Sequence, residues 1–549
     1  MNKGLKIRLV SSLEKIFADE ELKVVNSQKG SMLSNEVYSF QAAYYWDGYM
    51  QKNVQVEIKS ELSPWISARK VELIPSEMPC YIDHDDNVLR NSPGLYPDAL
   101  VKINNEGITL LPRQWRSIWI TVSLEGNIQA GSYHIDIIFK LSNEELGRVT
   151  YNLEVIPAKL PKQSLINTQW FHTDCLSTWY GVEVFSEEYW KVVEQYVKTA
   201  AEHGINMILT PLFTPPLDTE VGGERLTVQL VDVERIQDTY KFGFDKLKRW
   251  INLCLSNGVE YFEFSHLFTQ WGAAHAPKII AKENGVEKRI FGWDTDATGK
   301  EYKNFLSEFL PQLVEFIKLN KIEKRSYFHV SDEPSESQLE TYKSASDIIK
   351  EHLKGFPIID ALSDYKFYET GVVENPIPAT NHIEPFLENN VPNLWTYYCC
   401  GQYKDVANRF FNMPSARNRI LGIQLYKFNI KGFLQWGYNF WNSQYSRYAI
   451  DPFKVTDAVH AFPSGDAFIV YPSVDGPIES LRLEVFYEAL QDLRALELLE
   501  GLIGREAVLD MLEEGLENPI TFSQYPKEAS WLLRKREQIN KKILSCIKA

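Results

Sequence analysis

Up to about residue 157, apolar and polar positions alternate along the chain. The segment NVQVEIKS places an apolar side chain at every second position from Val54 onward, and SIWITVSL and SYHIDIIFKL repeat this period. Polar turn segments such as EGNIQAGS separate the runs. Side chains of a β-strand point alternately to its two faces, so the pattern predicts many short strands with one buried face. We therefore expect an N-terminal antiparallel β-sandwich over residues 1–160.

A proline-containing segment, IPAKLPKQS, follows this region and predicts a linker. Beyond it, short apolar runs alternate with stretches of helical period. Helices are predicted at residues 186–203, 244–256, 303–319 and 337–353. Eight apolar runs follow one another, from INTQWFHTD to IKGFLQWGYNFW, and the sixth, NPIPATNHIEPF, is the weakest because prolines crowd it. Repeated βα units predict a multidomain α/β plus all-β protein, with a (β/α)8 TIM-like barrel over residues 161–500.

The last part of the chain has helical character. The segment DAFIVY, residues 466–471, predicts a short extra strand, and from Ile478 the apolar residues recur with a period near 3.6. The charged residues of this helix are expected to form a solvent-exposed outer face. They are Arg482, Glu484, Glu488 and Arg494. Residues 501–549 are expected to form a C-terminal helical extension that packs on the barrel.

Charge and composition narrow the function. The net charge of −15 over 549 residues argues against a nucleic-acid-binding protein and offers no attraction to an anionic membrane. No stretch of about 18 uncharged apolar residues occurs, so no membrane span is expected. Charges at Lys15, Asp19 and Glu20 interrupt the first segment, so no signal peptide is predicted and a cytoplasmic location is expected. A neutral glycan or glycoside is compatible with this charge.

The cysteines suit a reducing compartment. The chain has six of them, scattered and without CxxC spacing. The adjacent Cys399 and Cys400 are expected to be two buried thiols, and a strained vicinal disulfide is the alternative.

Polar and aromatic side chains cluster where the predicted strands end. In a barrel these ends share one face, on which active sites form. Aromatic rings suit the apolar face of a sugar, and polar groups suit its hydroxyls. The candidate substrate-binding residues are His172, Asp174, His266, His329, Trp395, Tyr397, Tyr398, Trp436, Asn439 and Trp441. The same strand ends also carry Glu263, Gln270, Trp271 and Asp360.

The most informative feature is the adjacent pair Asp332 and Glu333, in the segment YFHVSDEPSES at the end of predicted strand four. Two neighbouring carboxylates disfavour double ionisation, so the pKa of one of them is expected to rise. A carboxyl group with a raised pKa can protonate a glycosidic oxygen. The alternative is that Asp332 caps a helix and Glu333 is only solvent-exposed.

Predicted strand seven, NLWTYYCCGQY, contains no carboxylate. Retaining glycosidases ordinarily place a second carboxylate about 5–5.5 Å from the acid, where it acts as the nucleophile. Its absence favours a nucleophile supplied by the substrate. The carbonyl of a 2-acetamido group then attacks C1 and forms an oxazolinium ion, while a second carboxylate holds the acetamido N–H. A conventional nucleophile, Asp364 or Glu384, is the alternative.

Four segments together resemble glycoside hydrolase family 123. They are HVSDEP, LWTYYCC, GFLQWGYNFW and GDAFIVYPSVDGPIESLRLEVFYEALQD. The resemblance implies an exo-acting β-N-acetylgalactosaminidase with substrate-assisted retention, in which Glu333 is the general acid/base and Asp332 orients the acetamido group. A gluco-configured 2-acetamido sugar is the alternative substrate.

Two further alternatives concern metals and binding without catalysis. Histidines fall near several strand ends, but no HExxH or close His-x-His spacing occurs, so no metal or other cofactor is expected. A non-catalytic carbohydrate-binding protein on the same scaffold is the alternative function.

Overall fold

The computed structural model describes residues 4–548 except 24–25 and 127. The strands of the N-terminal region are β1 (Leu5–Ser11), β2 (Lys29–Leu33), β3 (Val37–Trp46), β4 (Gln51–Lys59), β5 (Ile66–Ser76), β6 (Gly94–Lys102), β7 (Ile108–Leu110), β8 (Trp115–Ser123), β9 (Gly131–Leu141) and β10 (Glu144–Ile156).

The middle of the chain alternates strands and helices. In order they are β11 (Ile166–Gln169), α1 (Thr173–Tyr180), α2 (Glu187–Glu202), β12 (Met207–Thr210), β13 (Asp232–Ile236), β14 (Thr239–Gly243), α3 (Asp245–Ser256), β15 (Tyr261–Phe264), β16 (Ile279–Glu283), β17 (Val286–Phe291), α4 (Lys300–Leu319), β18 (Ser326–Tyr327) and α5 (Leu339–Lys350).

The remaining elements complete this alternation and end in helices. They are β19 (Ile359–Ala361), α6 (Lys366–Glu369), β20 (Asn375–Ile377), α7 (Glu384–Glu388), β21 (Trp395–Tyr397), α8 (Ser415–Arg419), α9 (Leu421–Lys427), β22 (Gly432–Gln435), β23 (Val470–Ser473), β24 (Gly476–Glu479), α10 (Leu481–Ile503), α11 (Arg505–Glu513) and α12 (Ala529–Lys548).

The N-terminal strands form two five-stranded sheets, in the orders β1-β3-β8-β5-β6 and β2-β10-β9-β4-β7. Both sheets contribute to one hydrophobic core, with Phe40 and Ile118 from the first and Val54, Ile137 and Leu153 from the second. The alternation in the sequence is explained by this core, because every second side chain reaches it. One pairing differs from the antiparallel prediction, since β10 runs parallel to β2.

Eight parallel strands carry the apolar runs of the middle region. Six of them form one sheet in the order β18-β15-β12-β11-β22-β21, and β19 pairs with β20. Single bridges, Phe328 to Ile358 and Ala379 to Tyr397, connect the pair to the two edges of the six-stranded sheet. The proline-rich sixth run still forms a strand, but only over the three residues of β20.

The predicted helices correspond to α2, α3, α4 and α5. Helix α2 begins after Ser186, whose side chain accepts a hydrogen bond from the backbone N–H of Tyr189 at 3.2 Å, as an N-cap residue does. A four-stranded sheet, β14-β13-β16-β17, lies between these units and was not predicted. The short strand predicted over residues 466–471 begins later, with β23 at Val470.

The prediction of a charged outer face on α10 is wrong. Arg482, Glu484 and Glu488 are all buried, and Arg494 is half-buried. The Arg482 guanidinium binds the Asp98 carboxylate at 2.8 Å, and Glu484 pairs with Arg69, so two strands of the N-terminal region cover this side of the helix. The period of a helix shows its apolar stripe, but it does not show that a second layer covers the other side.

Helix α12 joins the same buried charge network. Arg536 binds Asp492 at 2.7 Å and Glu36 at 2.6 Å, and Arg419 binds Asp492 at 2.7 Å and Glu488 at 2.7 Å. The C-terminal helix therefore contacts α8, α10 and β2. Within the described residues, none of the helices combines the length and the apolar character needed to cross a bilayer.

We expect Asp492→Ala to lower the free energy of unfolding by about 3–5 kcal/mol, because it leaves the buried Arg419 and Arg536 without a shared carboxylate. Denaturant unfolding followed by circular dichroism measures this. The control is Glu187→Ala, which breaks an exposed pair with Arg249 and should change stability very little. Equal effects of the two substitutions would contradict the role given to the buried network.

Candidate active site

An open cleft lies at the carboxyl ends of the parallel strands and has a cavity volume of about 130 Å³. Seven of the eight strands, all except β20, contribute a lining residue from the strand end or from the loop that follows. The lining residues are Trp170, Leu217, Asp218, Gln270, Trp271, Asp332, Glu333, Ala361, Tyr397, Cys399, Cys400, Leu434, Trp436 and Phe462. The cleft thus contains both carboxylates of the predicted pair, together with five aromatic rings.

Neighbouring strands hold the carboxylate pair in place. The backbone N–H of Glu333 donates to the carbonyl of Ala361 at 3.1 Å, and that of Trp271 donates to the carbonyl of Asp332 at 3.0 Å. Glu333 adopts a left-handed backbone conformation with φ of 42°, which is costly for a residue with a side chain. Its carboxylate accepts a hydrogen bond from the Tyr397 hydroxyl at 2.6 Å. Glu333 is exposed at the mouth of the cleft, whereas Asp332 is half-buried.

The electrostatics of the pair agree with one part of the prediction and differ from another. Burial, and next the charge of Glu333, raise the pKa of Asp332 well above its ordinary value, as expected for one member of such a pair. The resemblance, however, implies an ionised Asp332. In the unliganded protein Asp332 is instead the group that retains a proton more readily than usual.

A buried ionic triad lies beneath the pair. The His329 ring binds Glu263 through Nε2 at 2.6 Å and Asp360 through Nδ1 at 3.0 Å, and all three side chains are inaccessible to solvent. Burial alone would lower the pKa of His329, but the hydrogen bonds and charges of Asp360 and Glu263 prevail and raise it to about 10. His329 is therefore a buried imidazolium at neutral pH.

The triad also fixes the end of strand four. Strand β18 has only two residues, so its ladder cannot position Asp332. The Asp360 carboxylate accepts the backbone N–H of Val330 at 3.1 Å in addition to the His329 ring. Glu263 in turn accepts the indole N–H of Trp170, a cleft residue, at 2.8 Å. Three adjacent strands are thereby joined below the cleft.

His266 completes this layer as a neutral ring. It stacks on His329 with centroids 4.2 Å apart and an interplanar angle of 22°. Among the described residues neither of its nitrogens has a hydrogen-bond partner, and burial together with the charge of His329 lowers its pKa well below 6.5. Atoms of His266, His329 and Asp360 lie within 4.8 Å of one another, close enough to consider a metal ion. Both His329 nitrogens are already hydrogen-bonded to carboxylates, however. The arrangement therefore suits a protonated His329 ring and leaves neither of its nitrogens available to a metal ion.

Two of the predicted aromatic residues line the cleft. Tyr397 contacts Glu333, and Trp436 is half-buried with its indole N–H bound to the Asp466 carboxylate at 2.9 Å. Burial raises the pKa of Asp466 to about 7. The Phe462 ring meets Trp436 edge-on at 5.3 Å. Trp436 therefore presents a fixed ring to the cleft.

Six other predicted residues lie outside the lining of the cleft as the structure describes it. They are His172, Asp174, Trp395, Tyr398, Asn439 and Trp441. Tyr398 and Trp441 are buried in the core, and Tyr398, the residue after β21, belongs to a different hydrophobic cluster from Tyr397. Trp395 lies deeper between the strands, against Gly432.

Three of these residues, His172, Asp174 and Asn439, form hydrogen bonds behind the wall of the cleft. Asn439 accepts the backbone N–H of His172 at 2.8 Å, and the His172 ring binds the carbonyl of Trp436 at 2.9 Å. Asp174 binds Arg225 through both carboxylate oxygens at 2.7 and 2.8 Å. These contacts position the loop that carries Trp436.

Sequence reasoning missed several cleft residues. Trp170 follows strand one and Asp218 follows strand two, and no motif distinguished them. Burial raises the pKa of Asp218 to about 6, and its carboxylate accepts the backbone N–H of Tyr445 at 3.0 Å. Cys399 and Cys400 are free thiols, as expected, but they are half-buried and line the cleft. Asp364 and Glu384, the alternative nucleophiles, are not among the lining residues that the structure describes.

A carboxylate pair in a cleft lined by aromatic rings at the ends of parallel strands is characteristic of carbohydrate-processing proteins. The family model described as the glycoside hydrolase 123 catalytic domain matches residues 170–499. The chain belongs to glycoside hydrolase family 123, a family of glycosidases.

One solved structure shares the fold over nearly the whole chain. The structure of a family 123 glycoside hydrolase from Clostridium perfringens, reported for glycolipid glycan hydrolysis, is 15% identical, with a TM-score of 0.75 over 99% of this chain and 98% of that one. A Bacteroides ovatus family 5 xyloglucanase is 10% identical over 84% of this chain and 98% of its own, with a TM-score of only 0.30. No curated protein matches the chain.

The triad predicts a pH dependence of stability. A histidine whose pKa rises from 6.5 to about 10 on folding contributes stability that is complete below pH 6.5 and is lost as the pH rises towards 10. We therefore expect the free energy of unfolding to fall between about pH 7 and 9 in the wild type. The decline should be shallower in His329→Gln, which cannot carry the charge. Parallel curves in denaturant titrations would contradict a charged His329.

Proposed function

We propose that the protein is a retaining exo-glycosidase that removes a terminal β-linked 2-acetamido sugar, with N-acetylgalactosamine as the preferred residue. The observation that carries this proposal is the position of Asp332 and Glu333 side by side in the cleft, while strand seven supplies the hydroxyl of Tyr397 in place of a carboxylate. The Clostridium perfringens enzyme is described in the context of glycolipid glycans, which makes a glycan terminus a suitable candidate here.

In the proposed reaction, the acetamido carbonyl oxygen of the substrate attacks C1 as the glycosidic bond breaks. Glu333 donates its proton to the leaving oxygen, and its exposed position at the mouth of the cleft suits a group that serves the leaving side. Asp332 accepts the acetamido N–H and stabilises the positive charge of the oxazolinium ion. Glu333 then removes a proton from water, which attacks C1 and restores the acetamido group with overall retention.

Proton sharing explains how the raised pKa of Asp332 fits this scheme. Two adjacent carboxylates do not both ionise easily, and in the free protein the half-buried Asp332 favours its protonated form. The acetamido N–H requires an acceptor, so its arrival favours an ionised Asp332. We propose that the proton then resides on Glu333, where the reaction needs it. Substrate binding itself would set the protonation states.

The size and walls of the cleft support exo action. A cavity volume of about 130 Å³ is small beside the roughly 300–1,000 Å³ of pockets that hold drug-sized ligands, so one sugar residue is the better match. Trp170 and Trp436 supply rings for its apolar face, and Tyr397 orients Glu333. The same lining would also suit a sugar-binding protein without activity, and the assays below separate the two functions.

We further propose that the eight parallel strands form one closed (β/α)8 barrel. The two single bridges at the ends of the β19–β20 pair support closure, because they join it to both edges of the six-stranded sheet. The shared core of the two N-terminal sheets supports a β-sandwich over residues 1–160. The barrel would then span 161–500 and the helical extension 501–549.

Glu333→Gln should lower kcat by about 10²–10⁴ on substrates with a poor leaving group, because no proton reaches the glycosidic oxygen. The loss should be far smaller with a dinitrophenyl leaving group, which departs without protonation. Steady-state kinetics on a methyl and a dinitrophenyl 2-acetamido glycoside measure the difference. Glu384→Gln, a carboxyl outside the cleft lining, is the matched control. Equal losses on both substrates would remove Glu333 from the role of acid.

Asp332→Asn should lower kcat on the order of 10²–10³, because the oxazolinium charge loses its counter-ion. 4-Nitrophenyl β-N-acetylgalactosaminide should be cleaved by the wild type, whereas the β-galactoside without the acetamido group should not. A preference for the β-galactoside would contradict substrate assistance. Binding of the acetamido sugar without cleavage of any aryl glycoside would favour the non-catalytic function.

A further inference from the structure

The cleft has an outer wall that the proposed reaction does not use. Trp271 lines the cleft beside the carboxylate pair, yet its side chain is 41% exposed, whereas that of Trp170 is only 3% exposed. The Tyr445 ring stands edge-on to Trp271, with centroids 6.0 Å apart and an interplanar angle of 88°. Tyr445 is not one of the residues that line the inner cavity, but its half-buried ring extends the aromatic surface beside Trp271 at the mouth.

Trp271 is held rigidly next to the reaction centre. It adopts a left-handed backbone conformation with φ of 58°. Its N–H donates to the carbonyl of Asp332 at 3.0 Å, and its own carbonyl accepts the side-chain amide of Gln338 at 2.7 Å. Trp271 is a large exposed residue in a costly backbone conformation, and hydrogen bonds hold both its N–H and its carbonyl. Such strain is typical of functional sites.

A second loop holds Tyr445 in a comparable way. Tyr445 also has a left-handed conformation, with φ of 60°. The Asp218 carboxylate accepts its backbone N–H at 3.0 Å, and its carbonyl accepts the N–H of Glu220 at 3.0 Å. The loops after β12 and β22 are thus clamped together behind the ring.

We propose that Trp271 and Tyr445 form a subsite for the leaving group, and that its occupant is an uncharged sugar ring joined directly to the scissile oxygen. The inference rests on the proposed function. The exposed Glu333 lies beside Trp271 at the mouth, so the group attached to the oxygen that it protonates extends towards this wall. An aromatic face matches the apolar face of a sugar ring.

The charges around the wall support a neutral occupant. Arg447 lies over the Tyr445 ring at 5.3 Å, but its guanidinium is paired with Glu220 at 2.8 Å. Asp218 adds negative charge on the cleft side. The cleft lining that the structure describes contains no lysine or arginine that could pair with an anionic leaving group, so a neutral sugar is the occupant that the wall favours.

The test compares two substrates that share the acetamido sugar. In a disaccharide the leaving group is a neutral hexose, whereas in the glycosyl fluoride no ring leaves. We expect Trp271→Ala to lower kcat/KM about ten times more on the disaccharide than on the fluoride, because only the disaccharide loses a stacking partner. Tyr445→Ala should shift the ratio in the same direction. Tyr49→Ala, an aromatic residue 96% exposed in the N-terminal region, is the control and should leave the ratio unchanged.

Several outcomes overturn the inference. If Trp271→Ala lowers kcat/KM equally on the two substrates, Trp271 contributes to the site as a whole and not to a leaving-group subsite. If kcat/KM is unchanged on both, Trp271 does not contact the substrate. If Trp271→Ala lowers kcat/KM on an alkyl glycoside as much as on the disaccharide, the occupant of the subsite is an apolar chain and not a sugar. If the wild type cleaves neither substrate, the proposed function fails separately. Titration calorimetry then tests the subsite, because Trp271→Ala should weaken the binding affinity for the disaccharide about tenfold more than the affinity for the monosaccharide.

Discussion

A buried imidazolium is the interaction on which the site depends. His329 lies between Glu263 and Asp360, out of contact with solvent, and these two carboxylates stabilise its positive charge. Removing one partner of such a group leaves an uncompensated charge in the interior. The same two carboxylates also bind the indole of Trp170 and the backbone of Val330. The protonated His329 ring therefore connects strands three, four and five directly below the cleft.

The triad also explains why a strand of two residues can end in a defined catalytic candidate. Asp332 and Glu333 lie beyond the ladder of β18, and Glu333 has a left-handed backbone. Their positions come from contacts with the neighbouring strand ends, through Ala361, Trp271 and Tyr397. Because these partners belong to three different strands or the loops that follow them, the pair is placed by the assembled sheet and not by its own segment. The position of the two carboxylates therefore depends on the residues that contact them as well as on Asp332 and Glu333 themselves.

Buried charge organises a second region, where α10 lies between the N-terminal sheets and the parallel strands. Its carboxylates pair with arginines from both sides, such as Arg69 from β5 and Arg419 from α8. Helix α12 adds Arg536 to the same network. These pairs connect the N-terminal region to the layer that carries the cleft. Helix α10 is therefore connected by buried ion pairs to β5, α8 and α12.

The sequence by itself determined the local elements and the sharpest feature of the site. Alternation and helical period predicted the strands and the main helices, since both depend on which face of an element is apolar. The adjacent carboxylates at Asp332 and Glu333 were visible because their chemistry is local, as was the lack of an acid on strand seven. Only the tertiary structure decided which neighbours share a cavity. It separated Tyr397 from Tyr398, buried the charges of α10, added Asp218, and raised the pKa of Asp332. Burial and charge proximity join residues that are distant in the chain, so no local pattern contains them.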